Sequence, residues 1–270
     1  VTPGGSEGNR IRTELEAGVL TITLADPDNR NALSRALSAE LVTAMGRVES
    51  DDRVRVVVLT NEGSVFCAGA DLSERSAPPP GGEPSGETFA PGGIFTGIRN
   101  SPKPWVARVA GHAVAGGMGL VAACDLAVAV DHARFGFTEV RVGVAPAMIS
   151  VLCLPRMTRA DASEAFLRGR RFPAPDAVRM GLVNRSVPEE ELDDAVNEIV
   201  SDLLLGAPGA LAAAKLLINR VPAMDFEEAM TWTGELSAAL FEGPEAAEGM
   251  SAYLHKRRPA WAPDEPGGRP

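Results

Sequence analysis

Two short turns built from small residues stand out as places where backbone chemistry is exposed. The first is Phe66-Cys67-Ala68-Gly69-Ala70-Asp71 and the second is Ala115-Gly116-Gly117-Met118-Gly119. Each can follow a strand and open a helix, which leaves backbone N–H groups free, and the second gains the positive end of a helix dipole. Small residues let a substrate reach the backbone itself. Two such donors aimed at one carbonyl oxygen form an oxyanion hole, able to hold enolate-like charge.

Other uses of the same residues have to be weighed. The glycines can serve tight turns and helix–sheet packing alone. Gly117-x-Gly119-x-x-Ala122 also matches a dinucleotide fingerprint, but that fingerprint normally opens a βαβ unit and leaves the 66–71 turn unexplained. His112, His132 and His255 have no metal-ligand spacing, so no metal site is expected. Cys67 has no base beside it and reads as a small buried thiol. Asp71 and Asp125 read as residues that fix turns. Arg141 reads first as a partner in a structural ion pair, with a place facing a substrate carboxylate as the alternative.

The elements that must position these groups alternate early in the chain. Ile11 to Glu16 and Val19 to Leu24 read as strands around a turn at Ala17-Gly18. Ser34 reads as the N-cap of a helix running to about Ser50, with Leu37, Leu41, Met45 and Val48 on one face. Val54 to Leu59 is a β-branched run suited to a buried strand. Pro78 to Gly93 reads as a loop. Pro104 to Val109 and Leu126 to Val130 read as strands, with a buried helix over Val114 to Ala123. From Ala160 onward helices dominate, the last over Phe226 to Phe241. Strands and helices in this order predict an α/β architecture.

The 270 residues suffice for one large domain, or one with an appendage. The net charge of −10 disfavours nucleic acid and anionic membranes as partners. No apolar stretch has the length of a membrane span. Three widely spaced cysteines, Cys67, Cys124 and Cys153, suggest neither disulfides nor zinc and make a reducing cytoplasm the expected setting.

The string Phe-Cys-Ala-Gly-Ala-Asp-Leu at 66–72 resembles the first acyl-CoA motif of the enoyl-CoA hydratase/isomerase (crotonase) family. Lys103-Pro104, Gly111-His112-Ala113, Gly116-Gly117 and Ala123-Cys124-Asp125 resemble its second. Phe135-Gly136 with Glu139 and Gly143 resembles the segment carrying a catalytic glutamate. Gly181-Leu182-Val183 and Glu248-Gly249-Met250-Ser251-Ala252 extend the match in order along nearly the whole chain.

The resemblance implies a crotonase-type spiral of ββα repeats over residues 10–195. A helical C-terminal oligomerisation region over 196–258 would make trimers or hexamers, and flexible tails would cover 1–9 and 259–270. It implies that Ala70 and Gly116 supply the oxyanion N–H groups, and that Ala68, Asp71, Leu72, Gly117 and Gly119 line the substrate path. Lys256 and Arg257 would help hold CoA phosphates. No cofactor is implied, because CoA arrives as part of the acyl-CoA thioester. The expected activity is hydration of a short or branched 2-enoyl-CoA, with an isomerase using one glutamate or a non-catalytic acyl-CoA-binding protein as alternatives. RNA binding, known for one relative in the superfamily, sits poorly with the acidic charge.

One departure bears on mechanism. Hydratases of this type usually carry two glutamates. The second matches Glu139, but the first falls at Gly119. The surrounding residues resemble a bacterial branch of methylglutaconyl-CoA hydratases, active in leucine breakdown. On that resemblance the missing carboxylate makes room for, and removes repulsion from, a substrate with its own distal carboxylate.

Overall fold

The computed structural model describes residues 9–76 and 92–263. A hairpin opens the chain, β1 (Ile11–Glu16) against β2 (Val19–Leu24). Ala17 and Gly18 turn it at positive φ, the geometry that matches strand twist in a two-residue loop. Helix α1 (Arg35–Ser50) begins where Ser34 Oγ accepts the Leu37 N–H at 3.2 Å. A cap of this kind stabilises a helix by about 1 kcal/mol.

Three passes of strand, strand and helix follow. The first is β3 (Val56–Asn61), β4 (Val65–Cys67), α2 (Leu72–Ser76) and α3 (Gly92–Asn100). The second is β5 (Trp105–Val109), β6 (His112–Val114) and α4 (Gly116–Ala123). The third is β7 (Leu126–Val130), β8 (Arg134–Gly136), a 3-10 turn over Glu139–Val142, α5 (Ala147–Cys153) and α6 (Arg159–Arg168). Then come β9 (Phe172–Pro173), α7 (Ala174–Arg179), β10 (Arg185–Val187), α8 (Leu192–Leu205), α9 (Pro208–Arg220), α10 (Phe226–Glu242) and α11 (Pro244–Leu254).

Each pass lays its first strand in one sheet and its second in another. The six-stranded sheet runs β1-β2-β3-β5-β7-β10, and the four-stranded sheet β4-β6-β8-β9. All pairings from β2 to β10 in the larger sheet are parallel. This is the expected α/β spiral of ββα turns with a helical C-terminal region. Parallel strands covered on both faces should be uniformly apolar, and β3 is buried at all six positions.

Several expectations need correction. The helix expected over Val114 to Ala123 is a strand ending at Val114, a turn at Ala115 and a helix from Gly116. A boundary at 195/196 would cut α8, whose Val196, Ile199 and Val200 are buried in the same core as the strands. The tail expected to be loose from Pro259 is tied at Trp261. Its carbonyl accepts from Arg55 at 2.8 Å, and its indole N–H donates to the Leu205 carbonyl at 3.0 Å. The loop expected over 78–93 lies mostly outside the described residues, and Gly92 and Gly93 belong to α3. Residues 1–8 and 264–270 also lie outside the described residues. Among the described residues no single helix is long and apolar enough to cross a membrane.

Candidate functional site

The two small-residue turns lie side by side because β4 and β6 are neighbours in the smaller sheet, paired in parallel at Cys67 and Ala113. Both turns leave that sheet at the same end. The first is pinned from outside: Ala68 N–H donates to the Arg30 carbonyl at 3.1 Å, and Leu33 N–H to the Gly69 carbonyl at 2.7 Å. Gly69 has φ +86°, a region that an L side chain rarely enters. The second turn is bent at Ala115, a non-glycine residue with φ 50° and ψ −123°. Strain of this kind persists only where its surroundings hold it. Here Ala115 N–H donates to the Gly136 carbonyl at 2.9 Å, and Ala115 O receives Met118 N–H at 2.9 Å.

Among the described residues, the N–H groups of Ala70 and Gly116 have no protein acceptor. Gly116 opens α4, so its amide is one of the unpaired donors at a helix start. Both residues line one cavity of about 190 Å³, with Leu33, Phe95, Glu139 and the run Ala145 to Ile149.

Glu139 reaches that cavity from β8. Phe135 and Phe137 are buried, and Phe137 stacks on Phe166 of α6 at 4.1 Å between ring centres. That packing fixes the chain entering the 3-10 turn which Glu139 begins. The turn ends at Gly143, with φ 82°. Glu139 Oε2 is shielded from solvent and has no hydrogen-bond partner. Burial pushes the Glu139 carboxyl above its ordinary range, opposed by a hydrogen bond from its own backbone N–H. Every other described residue of the cavity is apolar or offers only backbone, so among the described residues Glu139 is its one ionisable group. An oxyanion hole and one carboxylate of raised proton affinity suit proton transfer at the carbon beside a carbonyl.

Gly119 does not stand where it was expected. A Cβ on it would come within 2.5 Å of Ile149 Cγ2 and 2.8 Å of Phe95 Cζ. The space of a side chain at 119 is therefore filled by two apolar groups, so the glycine does not open room for a substrate carboxylate. Gly117 faces the first turn, its missing Cβ 2.3 Å from the Cys67 carbonyl oxygen. Neither glycine lines the cavity, and neither offers the open cradle a dinucleotide would need.

The remaining expected site residues divide. Asp71 accepts from Asn29 Nδ2 at 2.9 Å, Ser73 Oγ at 2.6 Å and Ser73 N–H at 2.9 Å. The Ser73 hydroxyl and Asn29 amide, led by the former, hold its carboxyl below the usual range. It is the turn-fixing residue expected, capping α2. Leu72 is exposed beside it. Arg257 is forked onto Glu248 at 2.6 and 2.7 Å, and Lys256 is exposed at φ 52°. Neither lines the cavity. Among the described residues Arg141 makes no ion pair; it donates to the Gly169 and Arg168 carbonyls at 2.8 and 3.0 Å, closing the end of α6. Asp125 takes the Trp105 N–H at 2.7 Å and pairs with Lys215 at 2.8 Å. Among the described residues no cluster of histidine, cysteine and carboxylate could hold a metal ion. Cys67 is fully buried, which pushes its thiol up to about 12.

Sequence reasoning did not reach Leu33, Phe95 or the wall from Ala145 to Ile149. The apolar Met148-Ile149 pair after a proline was the available signal for α5. Phe95 adjoins a Pro- and Gly-rich stretch that hid its helix.

Comparisons with known proteins give the family and the fold. The family model described as enoyl-CoA hydratase/isomerase matches residues 14–264. A Thermus thermophilus protein named for enoyl-CoA hydratase is 35% identical over 249 residues, covering 91% of this chain and 98% of its own. Carnitinyl-CoA dehydratase of Escherichia coli K12 is 35% identical over 251 residues, covering 90% and 94%. The crystal structure of an enoyl-CoA hydratase from Mycobacterium smegmatis superposes with a TM-score of 0.86 at 40% identity, covering 93% of this chain and 98% of that one.

Proposed function

Because the chain belongs to the enoyl-CoA hydratase/isomerase family, whose members act on CoA thioesters, we propose that it hydrates a short or branched 2-enoyl-CoA. The observation that carries this is the buried, unpartnered Oε2 of Glu139 in the same cavity as the free amides of Ala70 and Gly116. The thioester oxygen sits between those two amides. Glu139 takes a proton from water, and the water oxygen bonds to C3. The C2–C3 π pair moves onto the thioester oxygen as an enolate, held by the amides. As the enolate collapses, Glu139 returns the proton to C2. CoA enters as part of the substrate, and the reaction needs no metal or redox group.

One observation favours isomerisation as a second reading. Phe95 and Ile149 fill the space that a carboxylate at 119 would have used, and among the described residues no second polar side chain lines the cavity to hold the water. An isomerase needs only one base: Glu139 removes a C2 proton from a 3-enoyl thioester and returns it at C4. A leucine-pathway methylglutaconyl thioester is not favoured by Gly119, whose surroundings are apolar.

A trimer or hexamer in the cytoplasm is part of the proposal. Phe226, Phe241, Tyr253 and Leu254 leave large apolar surface on the C-terminal helices, as an assembly face would. Three free, buried cysteines suit a reducing compartment.

The test is a panel of 2-enoyl and 3-enoyl thioesters followed by absorbance and mass. Hydration adds the mass of water; isomerisation moves the chromophore at constant mass. Binding with neither change would leave an acyl-CoA-binding protein and refute the enzyme reading.

A further inference from the structure

The cavity at Glu139 does not end at its apolar wall. Phe95 and Met148 also line a second space of about 480 Å³, which runs between α3 and α5 past Thr96, Val151 and Leu152 to Arg99. Arg99, Val151 and Leu152 in turn border a third space of about 470 Å³, on whose far side lies Arg156. The three lie in series as a broken groove, the first two meeting across Phe95 and Met148 and the last two across Arg99, Val151 and Leu152. It begins at the reacting carboxylate, is walled as far as Arg99 by apolar side chains and Thr96, and meets that guanidinium one helical turn, about 6 Å, beyond Phe95.

Among the described residues neither Arg99 nor Arg156 forms a salt bridge. Among the described residues Arg99 donates only to the Asn219 carbonyl, at 3.3 Å. Arg156 donates to the carbonyls of Ala122 and Cys124, at 2.8 and 3.1 Å. The one carboxylate on this part of the groove, Asp125, is already held by Lys215 Nζ at 2.8 Å and the Trp105 N–H at 2.7 Å. In a chain of net charge −10, Arg99, with no acidic partner among the described residues, makes a local positive field, while Arg156 also feels the Asp125 carboxylate. An arginine fork is also the side chain best matched to a carboxylate.

We propose that the substrate is an acyl-CoA whose acyl tail runs along this groove and ends in a carboxylate bound by Arg99. The proposal rests on reading the Glu139 cavity as the acyl site. It assigns the distal charge of the substrate to Arg99 on α3, not to the vicinity of Gly119.

The test uses two 2-enoyl-CoAs of equal chain length, one ending in a carboxylate and one in a methyl group, and the saturated form of each. In the unaltered enzyme the carboxylated thioester should have the higher kcat/KM, through KM. Arg99→Met should lower that preference about ten- to a hundredfold, the range of a charged hydrogen bond, and Arg99→Lys should restore part of it. Calorimetry with the saturated pair reads the same preference without turnover. If neither enoyl thioester reacts but the binding preference holds and collapses in Arg99→Met, the reaction proposed above fails while the tail site stands. No preference in binding, or equal losses for both tails in Arg99→Met, would show that Arg99 only ties α3 to Asn219 and would overturn the proposal.

Discussion

Gly69 and Gly116 meet backbone to backbone. A Cβ placed on Gly116 would lie 3.2 Å from Gly69 Cα, and one placed on Gly69 would lie 2.9 Å from the Gly116 nitrogen and 2.7 Å from Ala115 Cβ. The two turns that carry the oxyanion donors are therefore in direct contact, and their spacing is set by the absence of two side chains.

Gly69→Ala should force the turns apart and also place alanine at φ +86°. Losing the alignment of one donor should lower kcat about 10²- to 10³-fold, with a smaller change in KM. Gly46→Ala is the control. It lies in α1 with nothing within 4 Å of the new methyl and should stabilise the helix by about 0.5–1 kcal/mol without touching kcat. Equal kinetic behaviour of the two variants would remove the structural basis of the oxyanion hole.

Glu139→Gln keeps shape but cannot exchange a proton in the same way. Turnover should fall about 10²- to 10⁴-fold while the affinity for a saturated acyl-CoA stays close to that of the parent. A loss smaller than about tenfold would move the acid/base role elsewhere, since general acid/base groups contribute more than that.

The pH dependence follows from the same residue. Burial raises the Glu139 carboxyl, so the acid limb of kcat/KM should have its midpoint above the ordinary glutamate range. Its effect on stability has the opposite sense. The neutral form is favoured in the fold, so Glu139 contributes stability below its unfolded pKa and loses that contribution as pH rises through its folded pKa. The melting temperature of Glu139→Gln should therefore gain on the parent as pH rises through that range toward neutral. A difference that does not change with pH would contradict the buried-carboxylate account.

Gly119→Glu should fail by packing. Its first side-chain carbon already meets Ile149 Cγ2 at 2.5 Å, so melting temperature and activity should drop for carboxylated and neutral substrates alike. Overpacking of this kind typically costs about 1–3 kcal/mol. Adding Ile149→Ala should recover part of the stability. A loss confined to carboxylated substrates would restore a charge role for position 119.

Light scattering checks the assembly. A mass of three or six chains is expected, against 28.2 kDa for one. Phe241→Glu, on a helix face with 67% of that side chain exposed, should shift the assembly toward smaller species. A monomer that is fully active would end the oligomer reading.

Much of this protein is decided locally, and the chain alone showed it. The Ser34 cap, the Ala17-Gly18 hairpin and the apolar run Val56 to Leu59 of β3 follow from residue type and period, so their positions could be read directly. Ala70, Gly116 and Glu139 were named through the family resemblance of the short motifs that hold them, and the fold brings all three to one cavity. Each sits in a short motif whose glycines and aromatics are needed for one close approach. Tertiary structure alone decided what surrounds a missing side chain. Gly119 reads in sequence as vacant space, yet Phe95 from α3 and Ile149 from α5, 24 and 30 residues away, fill it. Arg99 has no local mark either. Its lack of a carboxylate partner and its place on the groove depend on where α5 and α9 come to rest. Non-local packing has no period in the sequence, so the filling of a cavity and the pairing of a charge appear only when the chain is folded.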